Sequence, residues 1–334
     1  LRNLITDVPG VMVGHAHDAR LASGATVVLF DRPAVAGLAA PGGAPALRDG
    51  LLLKPEMTVE TVDAFVLSGG SAYGLDAGSG AMAYLAAHGR GFDFGQTRVP
   101  ICPTAALFDL THGGDKAWTR PPYAEFGYAA TAAAGEDFAL GTAGAGYGAW
   151  TYDLKGGLGS ASVVSSRGFR VGAVAAVNCA GRATRGTSPH FWAASYERDG
   201  EFGGLGEGAP APDRFDFALT SDLAGVSPAT GATTLAVVAT DAAFDKARMT
   251  RIAIMASAGF ALSIRPAFGP GDGDLVFAAA TARSAMAATA RDLAEIGALA
   301  AECVARAVAR GIYAATALPL PGAKPSWRDR WGAG

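Results

Sequence analysis

Residues 233–310 change period repeatedly, and that alternation limits what the chain can become. TTLAVVAT (233–240) is an apolar run of strand length, and DAAFDKARMTRIAIMASAGFALSI (241–264) repeats its apolar positions at helical spacing. DLVFAAAT (274–281) restores the strand pattern. A long Ala-rich stretch from about Arg283 to Arg310 then sets Leu293, Ile296, Ala300, Cys303 and Ala307 on one side of a second helix. Strand–helix–strand–helix is an α/β arrangement. Earlier, ATVVLF (25–30) and DAFVLSGG (63–70) read as strands. The second runs into a helix with Ser71 as N-cap and Leu75, Gly78, Met82 and Leu85 on one face. GFRVGAVAAVN (168–178) is a further strand ending at Asn178. Residues 181–230 lack periodicity and read as surface loop, where a processing segment can lie. The tail LPLPGAKPSWRDRWGAG reads as irregular.

Half of the residues are hydrophobic and only 17% are charged, with a net charge of -3. That balance suits a globular chain with a large core and leaves no basic stripe for nucleic acid or an anionic membrane. No apolar run reaches the length that spans a bilayer. Cys102, Cys179 and Cys303 are odd in number and widely spaced, so neither a disulfide framework nor a zinc site is indicated, and a cytoplasmic setting is the expectation. The start of the chain has no signal-peptide layout.

Several motifs narrow the chemistry. G-x-S-x-G, Walker A and H-E-x-x-H are absent from the sequence. His15 and His17 form an isolated H-x-H, better read as hydrogen-bonded structure than as metal ligands. Gly144, Gly146 and Gly148 form GxGxG, one residue short of a dinucleotide loop, and read as turns. Three other places carry more chemistry. GATTLAVVATDA sets two threonines at the mouth of a strand. In GPGDGDLVF, Asp272 and Asp274 sit at period-two spacing on the turn into the next strand, where both point to one side. Lys155 enters a glycine-rich strand in YDLKGGLGSASVV, with burial implied by its small neighbours, and Asn178 ends a strand where its amide can serve an oxyanion.

LSGGSAYGLDA, LKGGLGSAS, AVN, GATTLAVVATDA and GDGDLVFA, in this order, resemble the self-processing N-terminal-nucleophile hydrolases. That family includes the D-aminopeptidase/esterases, the β-aminopeptidases and the nylon-oligomer (6-aminohexanoate) hydrolases, and the resemblance runs from about Thr6 to Arg310. It implies a single catalytic domain over 1–334, folded as a four-layer α/β/β/α sandwich. It also implies self-cleavage between Ala232 and Thr233 into pieces 1–232 and 233–334, with Thr233 as nucleophile. Lys155, Asn178, Asp272 and Asp274 match the family's residues around it. Ala232 departs from the asparagine or glycine often found before the nucleophile. Phe108 stands where nylon hydrolases carry a tyrosine, and Phe108 and Tyr147 are the substrate-pocket candidates.

The implied chemistry is hydrolysis of linear amides, either 6-aminohexanoate oligomers or short peptides with a free amino end. The freed α-amine, with an ordinary pKa of about 7.7–8.0, acts as base for its own hydroxyl. No metal or organic cofactor is called for. A homo-oligomer, a tetramer of processed protomers, is the expected assembly. The rival is a non-catalytic α/β binding protein, which would stay one chain on a denaturing gel.

Overall fold

A computed structural model of the chain describes residues 1–209 and 231–332. The loop read over 181–230 therefore falls outside the described residues from 210 onward. The described strands are β1 (Val11–Asp18), β2 (Ser23–Ala39), β3 (Ala46–Arg48), β4 (Thr61–Ser68), β5 (Phe92–Asp93), β6 (Arg98–Val99), β7 (Thr104–Ala106), β8 (Gly157–Val164), β9 (Arg170–Asn178), β10 (Thr233–Thr240) and β11 (Leu275–Ala280). The α-helices are α1 (Ala77–Ala87), α2 (Tyr123–Ala132), α3 (Lys246–Ser263), α4 (Ala290–Tyr313) and α5 (Trp327–Trp331).

Nine strands join in one sheet in the order β3-β7-β4-β2-β11-β10-β9-β8, with β1 also on β2; β5 and β6 form a separate hairpin. β2 explains how one sheet makes two layers. Its first half pairs with β1 and β4, its last residues pair with β11, and the register slips between Leu29 and Ala34. Such an irregularity bends a strand and turns the sheet over on itself.

Alternation along the strands then fills three interlayer spaces. Between the sheet halves lie Val28, Phe30, Phe65, Leu67, Val174, Leu235, Val237, Leu275 and Phe277. Their neighbours Ala173, Ala175, Ala236, Val238, Val276 and Ala278 face the other way, against α3 and α4. On the far side Ala25, Val27, Ala64 and Val66 pack under α1 and α2. Period-two side chains buried on both faces require a layer on each side, and the result is α/β/β/α.

Local details correct the sequence reading. Ser71 is not an N-cap: it has φ +53° behind Gly70 at φ +84°, opens a 3-10 turn over Ser71–Asp76, and α1 starts only at Ala77. α4 begins at Ala290 rather than near Arg283, because Thr289 and Asp292 form a capping box there. The tail is not wholly irregular, since Ser326 and Asp329 cap α5 in the same way. Gly144–Gly146 is a 3-10 turn.

Candidate active site

The end of β10 is the meeting point. Thr233 lies opposite Asn178 in the antiparallel β9–β10 register, and on the other flank Ala232 bridges Asp272 in parallel. Alternation from Leu235 and Val237 turns Thr233 toward the space between the sheet halves, whereas Thr234 shares the face of Ala236 and Val238 toward the helices. Both threonines are buried.

The peptide bond before Thr233 is held closely. Thr233 Oγ1 donates to the Ala232 carbonyl oxygen at 2.7 Å, and the Gly273 N–H donates to the same oxygen at 2.8 Å. Gly273 must be glycine, since a Cβ there would stand 2.5 Å from Thr233 Oγ1. Nothing in the sequence pattern singled out Gly273. The parallel register, Leu235 on Leu275, brings it level with Thr233, and only knowledge of that pairing could have found it.

Asp272 and Asp274 lie beside this bond, though not aimed at the Thr233 hydroxyl. Asp274 Oδ1 accepts from the Thr234 N–H at 2.6 Å and Oδ2 from the Phe268 N–H at 3.1 Å. Asp272 Oδ2 folds back onto the Gly269 N–H at 2.7 Å. Burial, and then the neighbouring Asp272 charge, push Asp274 up to about 6; burial also raises Asp272.

Asn178 is fixed at both ends of its amide. Its Oδ1 accepts from the Trp150 N–H and its Nδ2 donates to the Phe108 carbonyl, both at 2.9 Å, which leaves one Nδ2 proton. Lys155 is fully buried, and its three protons go to the carbonyls of Gly146, Ala149 and Gly156 at 2.8–2.9 Å. It therefore touches Thr233 through no hydrogen bond of its own and instead pins the 146–149 turn that leads into Trp150 and Asn178. Burial pulls its ammonium down to about 7. Three carbonyl acceptors need three protons, so the charged form fits the cage.

A cavity of about 300 Å3 opens on Gly231, Ala232 and Asn178. Phe108 lines it, together with His112, Trp150 and Lys324. Tyr147 does not: it stacks on His17, ring centroids 4.3 Å apart, away from this wall. His112 lies flat on Trp150 at 4.3 Å, bonds the Gly148 carbonyl through Nδ1, and is held neutral down to about 4 by burial. His112, Trp150 and Lys324 escaped the sequence reading because no spacing connects positions so far apart. His15 is likewise structural, bonding Thr26 and the Ala139 carbonyl. Among the described residues no group of three potential ligands is placed to hold a metal, and no helix is long and apolar enough to cross a membrane.

Solved structures share this architecture. A β-aminopeptidase from Burkholderia sp. matches with a TM-score of 0.67 and 20% identity, over 98% of this chain and 91% of that one. The L-aminopeptidase D-Ala-esterase/amidase of Ochrobactrum anthropi matches with a TM-score of 0.69 and 21% identity, over 96% and 88% respectively, and is described as a variant of the N-terminal-nucleophile hydrolase fold. A layered sheet with this topology is thus the fold of N-terminal-nucleophile hydrolases. More narrowly, the chain belongs to peptidase family S58, whose model matches residues 3–324. It is 42% identical to an uncharacterized aminopeptidase of Mycobacterium tuberculosis (strain ATCC 25618 / H37Rv), over 98% of this chain and 97% of that protein. An uncharacterized aminopeptidase of Mycobacterium leprae (strain TN) is 40% identical over 94% and 91%. The chain is an enzyme of the peptidase and amidohydrolase class.

Proposed function

We propose that this peptidase cleaves its own chain between Ala232 and Thr233 and then hydrolyses linear amides with the freed threonine. The observation that carries the reading is the Ala232 carbonyl, set between the Thr233 hydroxyl and the Gly273 N–H. Attack by Oγ1 on the Ala232 carbonyl carbon breaks the C–N bond. The hydroxyl proton passes to the departing nitrogen, which becomes the α-amine of Thr233. Water then hydrolyses the ester, leaving a carboxylate on Ala232. In turnover the α-amine accepts the hydroxyl proton while Oγ1 attacks the substrate amide, the leaving amine takes that proton, and water then hydrolyses the acyl ester, releasing the carboxylic product and restoring the hydroxyl. Gly273 N–H, with the spare Nδ2 proton of Asn178, serves the oxyanion in both reactions, a role worth roughly 3–4 kcal/mol in comparable sites. Asp272 and Asp274 orient the new amine, and Lys155 positions Asn178 through the 146–149 turn.

The aminopeptidase names of the relatives favour short peptides with a free amino end as substrates. The threonine and the Asp-x-Asp pair favour 6-aminohexanoate oligomers as a second amide class. A denaturing gel with N-terminal sequencing tests processing: two bands, the smaller starting at Thr233, are expected. Thr233→Ala should remain a single chain without hydrolysis, and cleavage persisting in it would remove Thr233 from the mechanism. Parallel turnover of aminoacyl p-nitroanilides and 6-aminohexanoate oligomers decides the substrate class.

A further inference from the structure

The cavity beside Ala232 has a charge that a simple aminopeptidase pocket would not need. Among the described residues that line it, Lys324 is the charged side chain; neither Asp272 nor Asp274 forms part of its wall. Lys324 arrives from the tail beyond α4. Its Nζ donates to the carbonyls of Thr151 and Tyr152 at 2.6 and 2.7 Å and stands 5.2 Å from the centre of the Trp150 ring. Two donors are thereby used and one remains. Among the described residues Lys324 has no ion pair: the nearby Asp153 is taken by Arg330 at 2.7 Å and Arg182 at 3.5 Å. His112 contributes no charge at neutral pH, and the Lys324, Lys155 and Lys116 charges all disfavour its protonation, so this side of the cavity is positive, while the Asp274 and Asp272 charges act at Cys179 on another part of its wall.

The position of this charge relative to the chemistry follows from the nucleophile. One hydroxyl attacks both the Ala232 carbonyl and the substrate carbonyl, so the substrate acyl residue must occupy the place that Ala232 holds. The cavity borders that place. An ammonium entering it meets like charge, whereas a carboxylate finds a free donor beside aromatic walls, in a space of about 300 Å3 that admits a side chain.

We propose that Lys324 is a specificity-determining residue that selects substrates whose acyl residue carries a carboxylate, such as an amino-terminal glutamyl or aspartyl residue. The inference rests on the nucleophile assignment above.

Glutamyl and glutaminyl p-nitroanilides form the test, because they share a shape and differ by a charge. With the purified full chain, kcat/KM for the glutamyl substrate should exceed that for the glutaminyl one by about tenfold or more, mainly through KM, as a charge-assisted contact implies. Lys324→Met should bring the ratio close to one, and Lys324→Glu should reverse it in favour of a lysyl substrate. The ratio is the readout, since Lys324 also tethers the 151–152 carbonyls and a purely structural loss would lower both rates alike. A wild-type ratio at or below one, or a ratio unchanged in Lys324→Met, overturns the proposal. If the chain is processed and hydrolyses the neutral substrate without that preference, only Lys324 is reassigned. If it stays whole and inert towards every substrate, the nucleophile assignment falls and this inference with it.

Discussion

Thr233 and Thr234 carry the same hydroxyl one residue apart, and strand alternation sends them to opposite faces. Thr234→Val, which keeps the shape, should therefore still be processed to two bands, in contrast to Thr233→Ala. Asp274 offers a second test at this scale. Buried beside Asp272, it is raised from an ordinary 3.8 to about 6, so between those values the folded chain binds more protons than the unfolded one. Stability attributable to Asp274 is then lost as pH rises through that window. Denaturant midpoints measured from about pH 4 to pH 7 should fall less steeply in Asp274→Asn than in the wild type; equal slopes would remove Asp274 as the source. Thr233, Asn178, Lys155 and the two aspartates were legible as candidates through the family resemblance. Their contacts were not, because a side chain's partner depends on which strand lies next to it: Asp274 holds the Thr234 N–H, and Lys155 serves three carbonyls.

β8 and α4 show what the elements demand. Gly159 faces the helix so closely that a Cβ would stand 1.9 Å from the Ala307 carbonyl oxygen. Gly159→Ala should force α4 off the sheet and cost about 1–3 kcal/mol by overpacking, measured as a lower unfolding free energy. An unchanged midpoint would show that the helix can yield. The strands β9, β10 and β11 could be read as apolar runs of strand length and the helices α3 and α4 from helical spacing, though both helices start later than the spacing suggests, at Lys246 and Ala290. The sequence pattern starts α1 at Ser71, too early, since the helix begins at Ala77. Its forerunner is a 3-10 turn imposed by left-handed residues at Gly70 and Ser71, and no apolar period records backbone handedness.

At the scale of the molecule, the two proposed pieces share one sheet. β10, the first element of piece 233–334, pairs with β9 of the other piece, and Arg306 and Arg310 of α4 reach Glu201. Arg306 and Glu201 are both nearly shielded from water, with side-chain exposures of 2% and 7%. Burial alone would raise the Glu201 carboxyl; the Arg306 contacts outweigh it and hold the group below its ordinary value. The pair therefore stabilises the chain above the ordinary carboxylate range, and that contribution disappears as pH falls through the lowered value. Glu201→Gln leaves Arg306 less compensated and should cost roughly 3 kcal/mol near neutral pH. The processed pieces should elute together under native conditions and separate only in denaturant.

Pattern along the chain determined the strand and helix types, and the family resemblance picked out the candidate site residues, because periodicity and motif chemistry are local properties. Tertiary structure alone decided that β2 bends to make two layers, that Gly273 faces the Ala232 carbonyl, and that a lysine from the tail lines the cavity. Each of these joins positions remote in sequence, and only the folded sheet sets the distance between them.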